Sequence, residues 1–277
     1  MIDSAADISQ TEAQAKGVIL LPMLITLGEE EFYDGVTLSA KEFWQRLETS
    51  DVLPKTSLIN AFRFEEAFQT HTAGGDELIV ITISSKLSGT YESAKQAAER
   101  FPGNVHVIDS LNACVGERLL CDYALRLVSQ GLSAKEIVAE LEEKKGKIKV
   151  MALLGTLEYL KKGGRISPAI ALLGESISLK PVVGIVGGEV KLIGKALGLK
   201  RGNNLLRKLV KDCGGIDFTL PFATIWSGLD TTLLDNYVED SQDLWEGDTD
   251  SVPKYMLGAT IGTHVGPGMV GVAFFQK

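Results

Sequence analysis

"ELIVITISSKLSGTYESA", residues 77–94, decides how this chain folds. Leu78-Ile79-Val80-Ile81 is a continuous apolar run, as expected of a strand buried on both faces. It ends in a cluster of hydroxyls and a glycine. Helical spacing follows, with Tyr91, Ala94, Ala98 and Phe101 on one stripe. A strand feeding a crossover helix implies a parallel sheet covered on both sides. In such sheets the C-terminal strand ends face the ligand crevice, and the next helix adds free N–H groups and the positive end of its dipole. No acid, metal-ligand spacing or phosphate loop accompanies Ser88-Gly89-Thr90. Two readings of this triplet stand side by side: a plain helix N-cap, or neutral donors aimed at an anion.

Working outward, residues 18–25, "VILLPMLI", read as one strand, and "NVHVIDS" as the strand after the first helix. "SAKEFWQRLE" and "SAKEIVAELEEKKG" each carry a capping box, Ser39 with Glu42 and Ser133 with Glu136. "INAFRFEEAFQTH" places Phe64 and Phe68 on one helical face. "GERLLCDYALRLVSQG" is a helix stopped by Gly131. The second half changes character. "TLEYLKKGG" is a short helix with a glycine stop, and Ser167-Pro168 fits the N-cap and first position of another. "KPVVGIVGGEVKLIG" is a hairpin turning at Gly187-Gly188. "FTLPFATIW" and "MVGVAFF" add strands, and "LDTTLLDNYVEDSQDLW" adds a helix. The expected architecture is α/β with two domains and a cleft between them. Residues 1–147 form a parallel-sheet N-terminal domain, and residues 148–277 form a C-terminal α/β domain with a mixed sheet.

The 277 residues carry a formal net charge of −8. An acidic chain without a basic run argues against nucleic acid as the main partner. No apolar run is long enough to span a bilayer and no secretory leader is visible, so membrane contact is expected to be transient at most. Cys114, Cys121 and Cys213 form no C-x-x-C pair and read as reduced thiols of a cytoplasmic protein. "MIDSAADIS" opens on a polar turn reached by almost no strand, which reads as a trimmed start.

Other stretches can carry chemistry. "LPKTS" supplies a second hydroxyl pair, Thr56 and Ser57. "GTHVGPG", residues 262–268, sets Thr263 and His264 among glycines in what reads as a loop before the last strand. "KKGGRIS" puts Arg165 between a glycine stop and a serine cap, either as a solvated loop residue or as a clamp for a phosphate or carboxylate. Asp3, Asp7 and Asp109 lie where strands end and are expected to cap helices or tie loops across the cleft. No zinc spacing, Walker loop or G-x-S-x-G elbow occurs, so no metal, cofactor or resident catalytic group is expected.

Together these stretches resemble the DegV family of bacterial lipid-binding proteins. The resemblance covers nearly the whole chain and rests on "DSAAD", "YDG" at 33–35, "KTS" at 55–57, "SSKLSGTYESA", "VIDS", "TLEYLKKGGRIS", "LKP" at 179–181 and "IGTHVGPG". It implies the two-domain DegV-like (EDD) fold and a bound long-chain fatty acid. It also implies a role in phospholipid metabolism as the acyl-carrying partner of a separate fatty acid kinase. Carried over residue by residue, the carboxylate contacts fall on Thr56, Ser88 and His264. Their neighbours Ser57, Gly89, Thr90 and Thr263 belong to the same ligand-binding set, and Arg165 matches the arginine associated with phosphorylation. The chain departs from the family pattern at its missing first strand, at Ala5 in place of threonine, at Leu197 in place of arginine and at Ser178 in place of asparagine. A competing reading is a serine esterase or acyltransferase, with Ser88 as nucleophile, His264 as base and Asp3 or Asp109 as orienting acid.

Overall fold

The structure is a computed structural model that describes residues 1–167 and 178–277. The helix expected to begin at Pro168 lies outside the described residues.

A four-stranded, fully parallel sheet has the order β2 (Leu20–Leu21), β1 (Ile2–Asp3), β6 (Leu78–Thr82), β7 (Val105–Asp109). The opening residues therefore do form a strand: Ile2 pairs with Leu20 on one side and Ile81 on the other. The apolar run of β6 divides by parity, as a pleated strand must. Leu78 and Val80 face Phe64, Phe68, Ala94 and Ala97 of α3 (Ala61–Thr72) and α4 (Thr90–Ala98). Ile79 and Ile81 face the other way, toward Leu119, Leu127, Ile137 and Leu141 of α5 (Cys114–Ser129) and α6 (Ala134–Lys144). The short helix α1 (Gln10–Ala15) is tied to α5 at its end, where Lys16 Nζ donates to Asp122 Oδ1 at 2.6 Å.

The stretch read as one strand over 18–25 is two. Pro22 cannot donate to a ladder, and the chain breaks there. The Pro22 carbonyl accepts from Arg63 Nη1 at 2.8 Å, and Met23 N donates to Ser4 Oγ at 3.0 Å. Beyond the break, β3 (Leu24–Leu27) joins β4 (Glu30–Tyr33) and β5 (Lys55–Ser57) in a small antiparallel sheet of order β4-β3-β5. The N-terminal half thus carries a second, antiparallel sheet beside the parallel one. Ser133 and Glu136 complete their capping box. Ser39 accepts from Glu42 N, but the Glu42 carboxylate turns to Arg46 Nε instead (3.2 Å), so only half of that box forms at the start of α2 (Ala40–Thr49).

All strands of the third sheet come from beyond residue 147. Its order is β10 (Glu189–Leu197), β9 (Leu179–Val186), β8 (Ile148–Leu153), β13 (Val270–Phe275), β11 (Phe222–Trp226), β12 (Lys254–Met256). Only β11 and β12 pair in parallel, so the sheet is mixed. The short helix α7 (Glu158–Lys162) follows β8. One face of the sheet, with Met151, Leu153, Val272 and Phe274, packs on α8 (Leu199–Asp212) and α9 (Thr232–Asp240). The opposite face, with Val150, Ala152, Ile225 and Ala273, packs on α5. Helix α5 therefore serves both large sheets and makes one core continuous between them. Among the described residues, no helix is long and apolar enough to cross a membrane.

Candidate functional site

"GTHVGPG" does not form a loop throughout. Residues Ala259–Val265 form α10, a two-turn helix that precedes β13. Its sequence is a poor helix former on propensity alone, so other parts of the chain hold it. Asp7 Oδ1 accepts from Gly258 N at 2.7 Å, and the two oxygens of Asp34 accept from Ala259 N (3.1 Å) and Thr260 N (3.0 Å). Trp44 Nε1 donates to Leu257 O at 2.8 Å. Gly262 allows α10 to lie directly on α2: a Cβ there would stand 2.6 Å from Phe43 and 2.9 Å from Trp44.

This places His264 opposite β5. Its Nε2 lies 2.9 Å from Thr56 Oγ1, across 208 residues of chain. Burial first, and then the nearby Arg165 charge, push the His264 pKa down to about 4. The ring is therefore neutral at physiological pH and carries one N–H. Nδ1 is buried and has no partner among the described residues. An orphaned buried N–H is rarer than an orphaned acceptor, so the proton belongs on Nε2. His264 then donates to Thr56 Oγ1 and leaves the threonine hydroxyl hydrogen free to point elsewhere. Gly163 of the "KKGGR" stretch makes the ring's position possible, since a Cβ there would fall 2.3 Å from Nδ1. The His264 ring resonances are expected to stay at neutral values from pH 8 down to pH 5 in an NMR titration. A midpoint above pH 6 would contradict the desolvated geometry.

Thr56, Ser88, Arg165 and His264 all line one cavity, which holds about 870 Å³ of space, part of it open to solvent. Away from these four, the wall is almost wholly apolar: Ile83 at the end of β6, Val150 and Ala152 of β8, Val183 and Ile185 of β9, and Ile225 of β11. The slot runs between the two large sheets, with Ala113 and Cys114 at the start of α5 also on its wall.

Ser88 precedes α4, and its Oγ lies 2.9 Å from Thr90 Oγ1. Gly89, not Ser88, is the N-cap residue, but Ser88 Oγ accepts from Thr90 N, the first residue of that helix, at 3.3 Å. The remaining four candidates do not reach the cavity wall. Strand parity turns Ser57 outward beside the half-buried Thr56. Gly89 is exposed. Thr90 is buried and turns toward Ser88 and Ile59 N. Thr263 turns back along its own helix to donate to Ala259 O at 2.8 Å. Arg165 is exposed at the mouth, where its guanidinium donates to Leu87 O (3.3 Å) and Gly163 O (2.6 Å).

The esterase reading loses its geometry. The hydroxyl beside His264 Nε2 belongs to Thr56, not Ser88. No acid orients His264 Nδ1 among the described residues. Asp3 is committed to Ala5 N and Ile83 N, and Asp109 to Ser85 N and Leu111 N. These aspartates do tie loops and caps, as expected of them, and Asp7 does so across the two halves. Sequence reading missed the cavity-lining Met23 and Thr260 and gave no role to Asp34, although "YDG" was a visible signal.

Comparison with known proteins agrees with this architecture. The DegV family model matches residues 1–277. A DegV domain-containing protein of Deinococcus radiodurans is 31% identical over 275 residues, covering 98% of this chain and 95% of its own. A DegV family protein from Thermus thermophilus, whose structure describes fatty acid binding, superposes with a TM-score of 0.87 at 29% identity, covering 100% of this chain and 98% of that one. A stearic acid-binding protein from Eubacterium ventriosum superposes with a TM-score of 0.83 at 25% identity, covering 98% and 96%.

Proposed function

Since the chain belongs to the DegV family, we propose that it is a carrier that encloses one long-chain fatty acid and presents its carboxylate to a separate fatty acid kinase. The observation that carries this reading is a largely apolar slot whose wall bears the uncharged hydroxyls of Thr56 and Ser88, with Thr56 held by neutral His264 and Arg165 at the mouth. Burying an acyl chain is favourable by about 0.8 kcal/mol per methylene, so a sixteen-carbon tail supplies on the order of 10 kcal/mol gross. The carboxylate opposes this, because an ion taken out of water costs several kcal/mol unless it is hydrogen-bonded. The Thr56 and Ser88 hydroxyls would meet that cost at about 1.5–3 kcal/mol per bond to a charged acceptor, with the His264 N–H holding Thr56 in place. Relatives described as fatty acid-binding support the ligand class.

The units 1–147 and 148–277 would close on the tail from its two sides. Neutral donors also suit the next step, because they orient the carboxylate without pairing it to a buried cation, and its oxygen stays able to attack a γ-phosphate. The chain would supply positioning, and the kinase would supply ATP, metal and most of the charge stabilisation. Arg165, exposed at the mouth and held by two backbone carbonyls, would meet that kinase or the new acyl phosphate.

The test combines an organic extract of purified protein with a phosphorylation assay. Mass spectrometry is expected to find about one fatty acid per chain in both wild type and Arg165→Ala. Kinase-dependent acyl phosphate formation is expected to fall at least tenfold in the variant. An extract without fatty acid would refute the carrier reading, and loss of lipid from Arg165→Ala would move that residue into the head-group site.

A further inference from the structure

We propose that Asp34, with Asp7, is a positioning residue for the head-group receptor, setting carboxylate recognition through the helix that carries His264. This rests on the carrier reading above and extends it to residues that touch neither ligand nor cavity.

The first three N–H groups at the start of α10, on Gly258, Ala259 and Thr260, are taken by three carboxylate oxygens at 2.7–3.1 Å, two of them from Asp34. Asp34 is almost fully buried and sits at the end of the small antiparallel sheet, 225 residues from Ala259. That sheet also carries Thr56 on β5, paired with Ile25 of β3. One unit of structure thus holds both ends of the receptor: β5 presents Thr56, and Asp34 fixes the start of the helix whose other end presents His264. Ser4 adds to the hold, its Oγ lying 3.4 Å from Thr260 Oγ1.

Carboxylates at a helix N-terminus meet free N–H groups and the positive dipole end, and such caps hold a short helix more firmly than propensity does. A rotation of α10 by a few degrees would carry the His264 ring away from the 2.9 Å contact with Thr56, while the slot wall from β8 and β9 would stay where it is. Asp34 is therefore assigned to head-group discrimination and not to tail binding.

The experiment measures calorimetric binding of palmitate and of hexadecanol, which has the same tail without a carboxylate, to the delipidated full chain. Wild type is expected to prefer palmitate. In Asp34→Ala, palmitate affinity is expected to fall about tenfold or more, the size of one lost bond to a charged acceptor. Hexadecanol affinity is expected to change less than about twofold. Asp34→Asn keeps one acceptor oxygen, so it should retain an intermediate palmitate affinity, and it serves where the alanine variant does not fold. In ligand-free Asp34→Asn the His264 ring resonances should move. Equal loss of both ligands, loss of neither, or an unmoved His264 signal would overturn the assignment. A wild-type chain that takes hexadecanol but shows no preference for palmitate would overturn it as well. One that takes neither ligand would overturn the carrier reading itself, and this inference with it.

Discussion

Thr56→Val is expected to weaken fatty acid binding by about 10- to 100-fold while leaving the fold intact. Valine has nearly the same shape and suits β5 as a branched residue, so strand pairing with Ile25 survives. What is lost is one hydroxyl with two duties. It accepts from His264 Nε2 at 2.9 Å, and its own hydrogen is free to be donated to a bound carboxylate. The ligand forfeits a charge-assisted bond worth about 1.5–3 kcal/mol. In addition, His264 keeps a buried N–H with its partner removed, and leaving such a donor unsatisfied costs about 1–3 kcal/mol. The second cost falls on the free protein too, so the binding loss is governed mainly by the first. At about 1.4 kcal/mol per decade this gives the stated range. Titration of palmitate into delipidated protein measures it. An unchanged affinity would mean that the carboxylate does not sit at this end of the slot.

How far the site was legible follows from where its geometry is encoded. The parallel sheet could be read locally, because the β6 run is too apolar for any position but the centre of a covered sheet, and its two faces are now seen to fill two core clusters. The hairpin at Gly187-Gly188 was equally local. Thr56, Ser88 and His264 stood out because hydroxyls and a histidine at element ends are conspicuous, and the resemblance to a family raised them above their neighbours. Which neighbours face the cavity could not be read, since it depends on strand parity at Ser57 and on a backbone acceptor at Thr263. Helix α10 was missed for a different reason. Its stability comes from Asp7, Asp34 and the close approach of Gly262 to Phe43, and these partners lie more than 200 residues away in sequence. The single strand expected over 18–25 failed at Pro22, a signal that was present and was outweighed by the hydrophobicity around it.

Glu117→Gln is expected to raise stability at pH 8 and to remove part of the chain's pH dependence. Glu117 lies fully inside the core on α5, and neither carboxylate oxygen has a hydrogen-bond partner among the described residues. Burial, and then the charges of Asp3 and Asp7, push its pKa well above the ordinary glutamate range. The folded protein therefore binds a proton that the unfolded chain releases as pH rises past about 4.5. Between the unfolded and folded pKa values the native state holds more protons, so stability falls as pH rises, by roughly 1.4 kcal/mol per pH unit for each such group. Asp3, pushed up to about 7 by burial, adds the same sign between about 4 and 7, and buried Asp7 and Asp34 add it as well. His264 acts in the opposite sense: its depressed pKa makes stability rise with pH between about 4 and 6.5. Above pH 6.5 the histidine no longer contributes, and the acids set a falling slope that the buried Met1 amine, its pKa lowered from 8.0 by burial, opposes. Glutamine has the shape of a protonated glutamate and carries no proton to lose, so the variant sheds one group's share of that slope. Because the introduced amide would still be a buried, unsatisfied polar group, Glu117→Met should gain further stability at every pH. Urea unfolding at half-unit steps from pH 5 to pH 8.5 measures both. If wild type and Glu117→Gln give parallel curves above pH 6.5, then Glu117 does not carry the proton that its surroundings demand.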